Sequence, residues 1–148
     1  MGYEHTQKSP LYLLILAIAA IMVGMLRTMP TGESFPIWIL GGVSLLLVCT
    51  AMSFGHLTVR DEGEYLAVRF GPLPIFHRRF RYAQITGVEA ARSDLLDGWG
   101  IHCVPGRGWI YNLWGLDCVR IRVGGKAVRI GTDDVNGLVL FLKSKVKC

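Results

Sequence analysis

"CVRIRVGGKAVRIGTDDVNGLVLFLKSKV", residues 118–146, decides the fold, because its hydrophobic spacing changes once along its length. In the first part apolar residues alternate with polar ones, which is typical of strands with one buried face. Gly124 and Gly125 divide this part and form a strong two-residue hairpin turn. Asp133 and Asp134 then precede apolar residues at helical spacing, and the lysines near the end suit the helix dipole. The stretch predicts a hairpin followed by an amphipathic helix, whose apolar face carries Val135, Leu138, Val139, Leu142 and Val146.

Short apolar runs separated by turn residues also precede this hairpin. The sequences "DEGE" (61–64) and "PGRG" (105–108) are typical turns between paired strands. The predicted strands are 57–60, 65–70, 76–92, 100–103 and 109–112, and the third is expected to bend near Gln84–Gly87. Together with the final hairpin they predict about seven antiparallel strands in two packed sheets, closed by one C-terminal helix.

This order of elements resembles the pleckstrin-homology (PH) fold. It is more closely similar to the bacterial PH-like (bPH) domains that often follow a two-helix membrane hairpin. The resemblance implies two sheets with a helix closing one open corner, together with a tendency to oligomerise. Its motifs are structural, so it implies a fold and little chemistry. It is carried by "GWGI" (98–101), "YNLWG" (111–115), "VRIRV" (119–123), "VRIGTDD" (128–134) and the apolar helix.

The N-terminal third contains two uncharged apolar runs, Leu11–Leu26 and Phe35–Phe54, of 16 and 20 residues. At a rise of 1.5 Å per residue they would measure about 24 and about 30 Å, close to the hydrocarbon thickness of a bilayer. They predict a transmembrane α-helical hairpin with spans at about 11–28 and 35–55, in a segment 1–56 that precedes a PH-like domain at 57–148. A cleaved signal peptide and N-myristoylation of "MGYEHT" fit less well, because no A-x-A site follows the first run and two spans gain little from a lipid.

The excess of positive charge lies in residues 57–148, which carry 14 Lys or Arg against 9 Asp or Glu. Basic residues after the second run, including "HRRFR" at 77–81, predict a multi-pass protein of the bacterial inner (cytoplasmic) membrane with both termini cytoplasmic. Reduced thiols would suit that location, and no zinc-like pairing occurs among Cys49, Cys103, Cys118 and Cys148. A bridge between Cys103 and Cys118 stays open and would need the opposite orientation.

Catalytic signatures are absent from the sequence: it has no nucleophile elbow, HExxH pattern, P-loop or dinucleotide-binding glycines. Neighbouring His102 and Cys103 would point to opposite faces of a strand, so they cannot form a nucleophile–base pair. Asp94, Asp97 and His102 remain the remote candidates for an enzyme site. Because the catalytic signatures are absent, we predict no enzyme activity, no cofactor, no bound metal and no identified small-molecule substrate.

Two groups of residues are candidate binding sites. Arg78, Arg79 and Arg81 could contact anionic lipid headgroups, worth about 1 kcal/mol each near such a surface, or form a solvated strand edge. The acidic turn at 61–64 would repel a phosphate, so phosphoinositide binding is not expected. The second group is aromatic, and it either packs across the sheets or lines a groove for a partner: Trp99, Trp109, Tyr111 and Trp114.

The function predicted from the sequence is a non-enzymatic, membrane-anchored PH-like scaffold that recruits or stabilises partner proteins at the bacterial inner membrane. A sensor of anionic lipid headgroups that uses the basic strand 77–81 is the alternative. The expected partners are the lipid bilayer and either further copies of the chain or another membrane protein. Nucleic acid is not expected, because the basic residues are dispersed among acidic ones.

Overall fold

A computed structural model describes residues 2–28, 34–72, 75–94 and 99–146, with the backbone alone described for 34–36. Nine strands and three helices lie within these ranges. The strands are β1 (Glu4–Lys8), β2 (His56–Asp61), β3 (Tyr65–Phe70), β4 (Phe76–Arg81), β5 (Ile85–Arg92), β6 (Gly100–Val104), β7 (Gly108–Asn112), β8 (Asp117–Val123) and β9 (Lys126–Gly131). The helices are α1 (Leu11–Leu26), α2 (Ser34–Ser53) and α3 (Val135–Lys145).

The strands form two sheets, with the order β1-β2-β3-β4 in one and β5-β8-β9-β7-β6 in the other. The pairs are antiparallel, as expected, except that β7 lies parallel to β9. Within the described ranges β4 has β3 on one side and no strand on the other, so it forms a free edge of its sheet.

The long strand predicted at 76–92 is divided between the two sheets. A 3-10 turn at Tyr82–Gln84 separates β4 from β5, and a bulge between Ile85 and Gly87 follows it. The predicted bend is therefore real, but it carries the chain from the first sheet to the second. Tyr82 is buried at this crossing, and its apolar ring helps to hold the corner.

The hydrophobic core lies between the two sheets and is closed by α3. Asp134 caps the helix, since its carboxylate accepts a hydrogen bond from the Gly137 backbone N–H at 3.0 Å. The prediction of a mainly-β domain with two sheets and a C-terminal helix is confirmed, and the architecture is compatible with a PH-like fold. The fully buried core side chains include Leu66, Val68, Phe70, Ile110, Val119, Ile121, Ile130, Leu138 and Leu142.

Residues 4–8, expected to belong to an N-terminal tail, form strand β1 beside β2. The preceding Tyr3 stacks on Phe141 of α3 with 5.2 Å between ring centroids, and its hydroxyl donates to Asp134 at 3.1 Å. The strand sequence "EHTQK" has no apolar alternation, so its pairing partner and not its own pattern makes it a strand. The chain on both sides of the two-helix hairpin is thereby held in one sheet.

Helices α1 and α2 occupy the two apolar runs and lie against each other, with Ala19 and Ala51 buried. However, no helix among the described residues is both long and apolar enough to cross a membrane. Helix α1 ends at Leu26 and measures about 24 Å, against about 30 Å for the hydrocarbon core. The predicted transmembrane hairpin is wrong, and with it the assignments of a membrane protein and of a multi-pass inner-membrane location.

A buried carboxylate fastens β2 to the 3-10 turn and to α3. Asp61, with 7% of its side chain exposed, accepts hydrogen bonds from the Tyr82 hydroxyl at 2.9 Å and the Gly63 N–H at 3.0 Å. The ammonium group of Lys145 lies 3.1 Å from the same carboxylate. Burial opposes ionisation of Asp61, but the bonds from Tyr82 and Lys145 outweigh it, so the pKa of this carboxyl is lowered. Burial and the bond to Asp61 together raise the pKa of Tyr82.

Replacing the Asp61 carboxylate tests how much its contacts with the 3-10 turn and α3 stabilise the fold. We expect Asp61→Asn to reduce the free energy of unfolding at pH 7 by about 1–3 kcal/mol, because it leaves Lys145 without its partner. The folded-state pKa is depressed, so the contribution of Asp61 is complete above the ordinary value of about 3.9 and is lost as the pH falls through the folded value. Urea unfolding from pH 7 to pH 2.5 should show the difference between the two proteins shrinking. Asp117→Asn, at a carboxylate that is 68% exposed, is the control with little effect, and a pH-independent difference would contradict the prediction.

Candidate functional site

A cavity of about 270 Å³ lies where the free edge of β4 meets the β8–β9 hairpin, and we call it the basic groove. It is lined by residues from β4, the 3-10 turn, β7, β8 and β9. Three of them are basic and none is acidic. The lining residues are Arg78, Arg79, Phe80, Gln84, Trp109, Tyr111, Val123, Lys126 and Val128.

The aromatic wall of the basic groove is set by strand geometry. Trp109 and Tyr111 are two residues apart on β7 and therefore point to the same face, with 6.4 Å between their ring centroids. The Phe80 ring meets Tyr111 edge-on at 5.8 Å and is buried. Trp109 stays 44% exposed, so the groove has a buried floor and one accessible aromatic wall.

The arginines of β4 differ in their ion pairs. The Arg79 guanidinium lies 2.8 Å from Glu62, which also pairs with Arg69, and Arg81 lies 3.4 Å from Glu64. Within the described ranges neither Arg78 nor Lys126 has a carboxylate partner. The basic groove therefore carries positive charge that no described acidic side chain neutralises.

Tyr111 adds a neutral hydrogen-bond donor to the basic groove. Burial raises the pKa of its phenol, and the positive charge of Arg78 acts in the opposite direction without cancelling that effect. The phenol therefore stays protonated at neutral pH and can donate a hydrogen bond into the groove.

The structure separates the three arginines predicted as lipid contacts. Arg78 and Arg79 line the basic groove, whereas Arg81 is not among its lining residues and also lies over the Tyr65 ring at 5.7 Å. The acidic turn at 61–64, expected to repel phosphate, has its glutamates engaged by arginines of β3 and β4. The basic strand is thus a mixed-charge surface, on which Arg78 has no carboxylate partner among the residues that the structure describes.

The four aromatic residues predicted for one groove form two separate pairs. Trp109 and Tyr111 lie in the basic groove, while Trp99 and Trp114 face each other elsewhere with 4.7 Å between ring centroids. Trp99 lines an apolar cavity of about 190 Å³ at the base of the hairpin, together with Tyr12, Ile15, Phe54 and Leu113 of the surrounding elements.

Two of the three residues considered for catalysis, Asp94 and His102, lie in the described ranges. The Asp94 carboxylate pairs with Arg107 at 2.7 Å, and Asp97 lies outside the described residues. His102 faces Ile110 across the β6–β7 ladder. Across the described ranges no three His, Cys, Asp or Glu side chains are placed to hold a metal ion. No disulfide joins the cysteines of the described ranges, so the Cys103–Cys118 bridge left open by the sequence is not formed.

A larger cavity of about 560 Å³, between the ends of β5 and α3, has acidic residues in its lining. Their carboxylates are already engaged. The Nε2 atom of His5 lies 2.5 Å from a carboxylate oxygen of Asp133, and the Asp134 carboxylate caps α3. The Nε atom of Arg92 lies 3.9 Å from a carboxylate oxygen of Asp117. The larger cavity therefore offers fewer unpaired groups than the basic groove.

Sequence reasoning missed Gln84 and Lys126. The turn at Gly124 and Gly125 has positive φ angles of 56° and 81° and places Lys126 opposite Val123. That local register follows from the two glycines, but nothing near Lys126 in sequence indicates that β4 lies beside it. The position of β4 beside Lys126 depends on the crossing of the chain from the first sheet to the second.

No protein-family model and no curated protein sequence matches this chain.

A glycine fixes the position of the aromatic wall, which gives a test. Gly108, at the start of β7, has a φ of +86°, and a Cβ there would overlap the carbonyl oxygen of Ala127 on β9. Gly106 has a φ of +77° but open space around its Cβ position. We expect Gly108→Ala to cost at least about 3 kcal/mol of unfolding free energy and Gly106→Ala about 1–2 kcal/mol, measured by urea unfolding. Equal losses would show that the approach of β7 to β9 is not as tight as described.

Proposed function

We propose that the protein is a non-enzymatic binding module of the bPH type, which holds an acidic segment of a partner protein in the basic groove. One observation carries the proposal: Arg78 and Lys126, without carboxylate partners in the described ranges, converge on a cavity that Trp109 and Tyr111 also line. Cations beside an aromatic wall can hold a carboxylate and an apolar group side by side.

The size of the basic groove favours a protein segment over a metabolite. Its volume of about 270 Å³ is below the range of about 300–1,000 Å³ that is usual for small-molecule pockets. It has room for one or two side chains. The apolar surfaces of Phe80, Val123 and Val128 suit an apolar side chain next to an acidic one.

The free edge of β4 supplies the second part of the proposed interaction. An extended segment can add to such an edge through main-chain hydrogen bonds, while nearby pockets select its side chains. Basic side chains along an edge strand also discourage pairing between copies of the same sheet. The arginines of β4 would thus oppose self-pairing and admit an acidic strand.

An anionic lipid headgroup is the competing ligand. It is less well supported, because Arg79 and Arg81 are each paired with a glutamate of the 61–64 turn. A flat headgroup surface would meet both signs of charge there. A narrow acidic segment could reach Arg78 and Lys126 and avoid these glutamates.

Selection of a random peptide display library on the full chain tests the proposal. We expect enrichment of peptides with acidic and apolar residues in alternation. For a selected peptide, Arg78→Gln with Lys126→Gln should weaken binding at least tenfold in fluorescence anisotropy, because each bond to a charged group contributes about 1.5–3 kcal/mol. The matched control is Arg92→Gln with Lys143→Gln, which removes the same charge from residues that do not line the basic groove.

Three outcomes would contradict this function. Selected peptides could lack acidic residues, or both double variants could lose affinity equally, which would indicate a general charge effect. Binding of phosphatidylglycerol vesicles that depends on Arg78 and Lys126, without binding of any selected peptide, would assign the groove to lipid. Far-UV circular dichroism should show that both variants are folded.

A further inference from the structure

The outer faces of the α1–α2 hairpin are apolar and exposed. Trp38 is 78% exposed, Leu45 and Leu46 are each 66% exposed, and Ile21 is 64% exposed. Charged residues are absent from both Leu11–Leu26 and the described side chains of α2. A helix that is apolar on all sides is normally covered by other structure, and here each helix covers only one face of the other.

The exposed surface is large enough for a stable protein interface. On the described part of the hairpin 14 large apolar side chains are at least 36% exposed. At about 80 Å² each, they present roughly 1,100 Å² of apolar surface. Single patches on soluble monomers reach about 300–600 Å², whereas a standard interface buries about 800 Å² per partner.

Three hydroxyl groups of α2 already have hydrogen-bond partners within the helix. The hydroxyls of Ser44, Thr50 and Ser53 donate to the backbone carbonyls four residues earlier, at 2.7, 2.8 and 2.9 Å. Burial of α2 would therefore leave none of these three hydroxyl donors unsatisfied. A Cβ added at Gly41 or Gly42 would meet no atom within 4 Å, so another helix has room to approach there.

We propose that a second copy of this chain covers the hairpin, so that two hairpins form a four-helix bundle around a two-fold axis. The distribution of net charge favours a second copy of the chain as the cover of the hairpin. The chain carries a net charge of +5, all of it from residues 57–148, so two copies can meet at their uncharged hairpins with the least repulsion. The interface uses apolar contact alone and does not depend on the basic groove.

Sedimentation equilibrium of the full chain in buffer without detergent tests the bundle. We expect a mass twice that of one chain. Leu45→Glu should raise the dimer dissociation constant at least 100-fold, because it would bury a charge in the interface. Leu140→Glu, at a residue of α3 that is 70% exposed, introduces the same side chain away from the hairpin and should leave the dimer intact.

The exposed Cys49 on α2 provides a second readout. In a chain carrying Cys103→Ser and Cys148→Ser, a short bis-maleimide should link two copies through Cys49, and Leu45→Glu should abolish that product. A monomeric chain, equal effects of the two glutamate variants, or aggregates without a discrete mass would overturn the proposal. So would a chain that remains in solution only with detergent, or that floats with phosphatidylcholine vesicles without cross-linking.

Discussion

The contact of α3 with the two sheets is the constraint on which the other elements depend. Leu138 and Leu142 are fully buried in the space between the sheets. Without them the inner faces of both sheets would meet water at that side. The same helix carries Lys145, which reaches the Asp61 carboxylate of β2, and Phe141, which stacks on Tyr3. One amphipathic helix therefore joins the second sheet, the first sheet and the start of the chain.

The groove follows from the way in which the chain passes between the sheets. The 3-10 turn at Tyr82–Gln84 ends β4 and starts β5, so β4 remains at an edge while the next strand enters the other sheet. That edge then lies next to the turn that carries Lys126. Arg79 and Arg81 are held by the glutamates of the β2–β3 turn. The positive charge left in the groove thus depends on ion pairs as much as on the number of basic residues.

Local patterns predicted much of the fold. Alternation and turn glycines located the strands of the final hairpin to within a residue, and helical spacing located α3. The two apolar runs form helices, but their uncharged length also predicts membrane crossing, and the structure contradicts that prediction. Of the candidate binding residues, Arg78, Arg79, Trp109 and Tyr111 were named from sequence, but Lys126 was missed and Arg81, Trp99 and Trp114 lie outside the groove.

The sequence by itself determined the elements whose cause is local: the Gly124–Gly125 turn, the strands beside it and the amphipathic helix capped by Asp134. Hydrophobic period and backbone freedom act over a few residues, so they can be read directly. Only the tertiary structure decided that "EHTQK" is a strand, that β7 runs parallel to β9 and that Arg78 and Lys126 share one cavity. Each of these depends on groups that are distant in sequence and are brought together by burial of the common core.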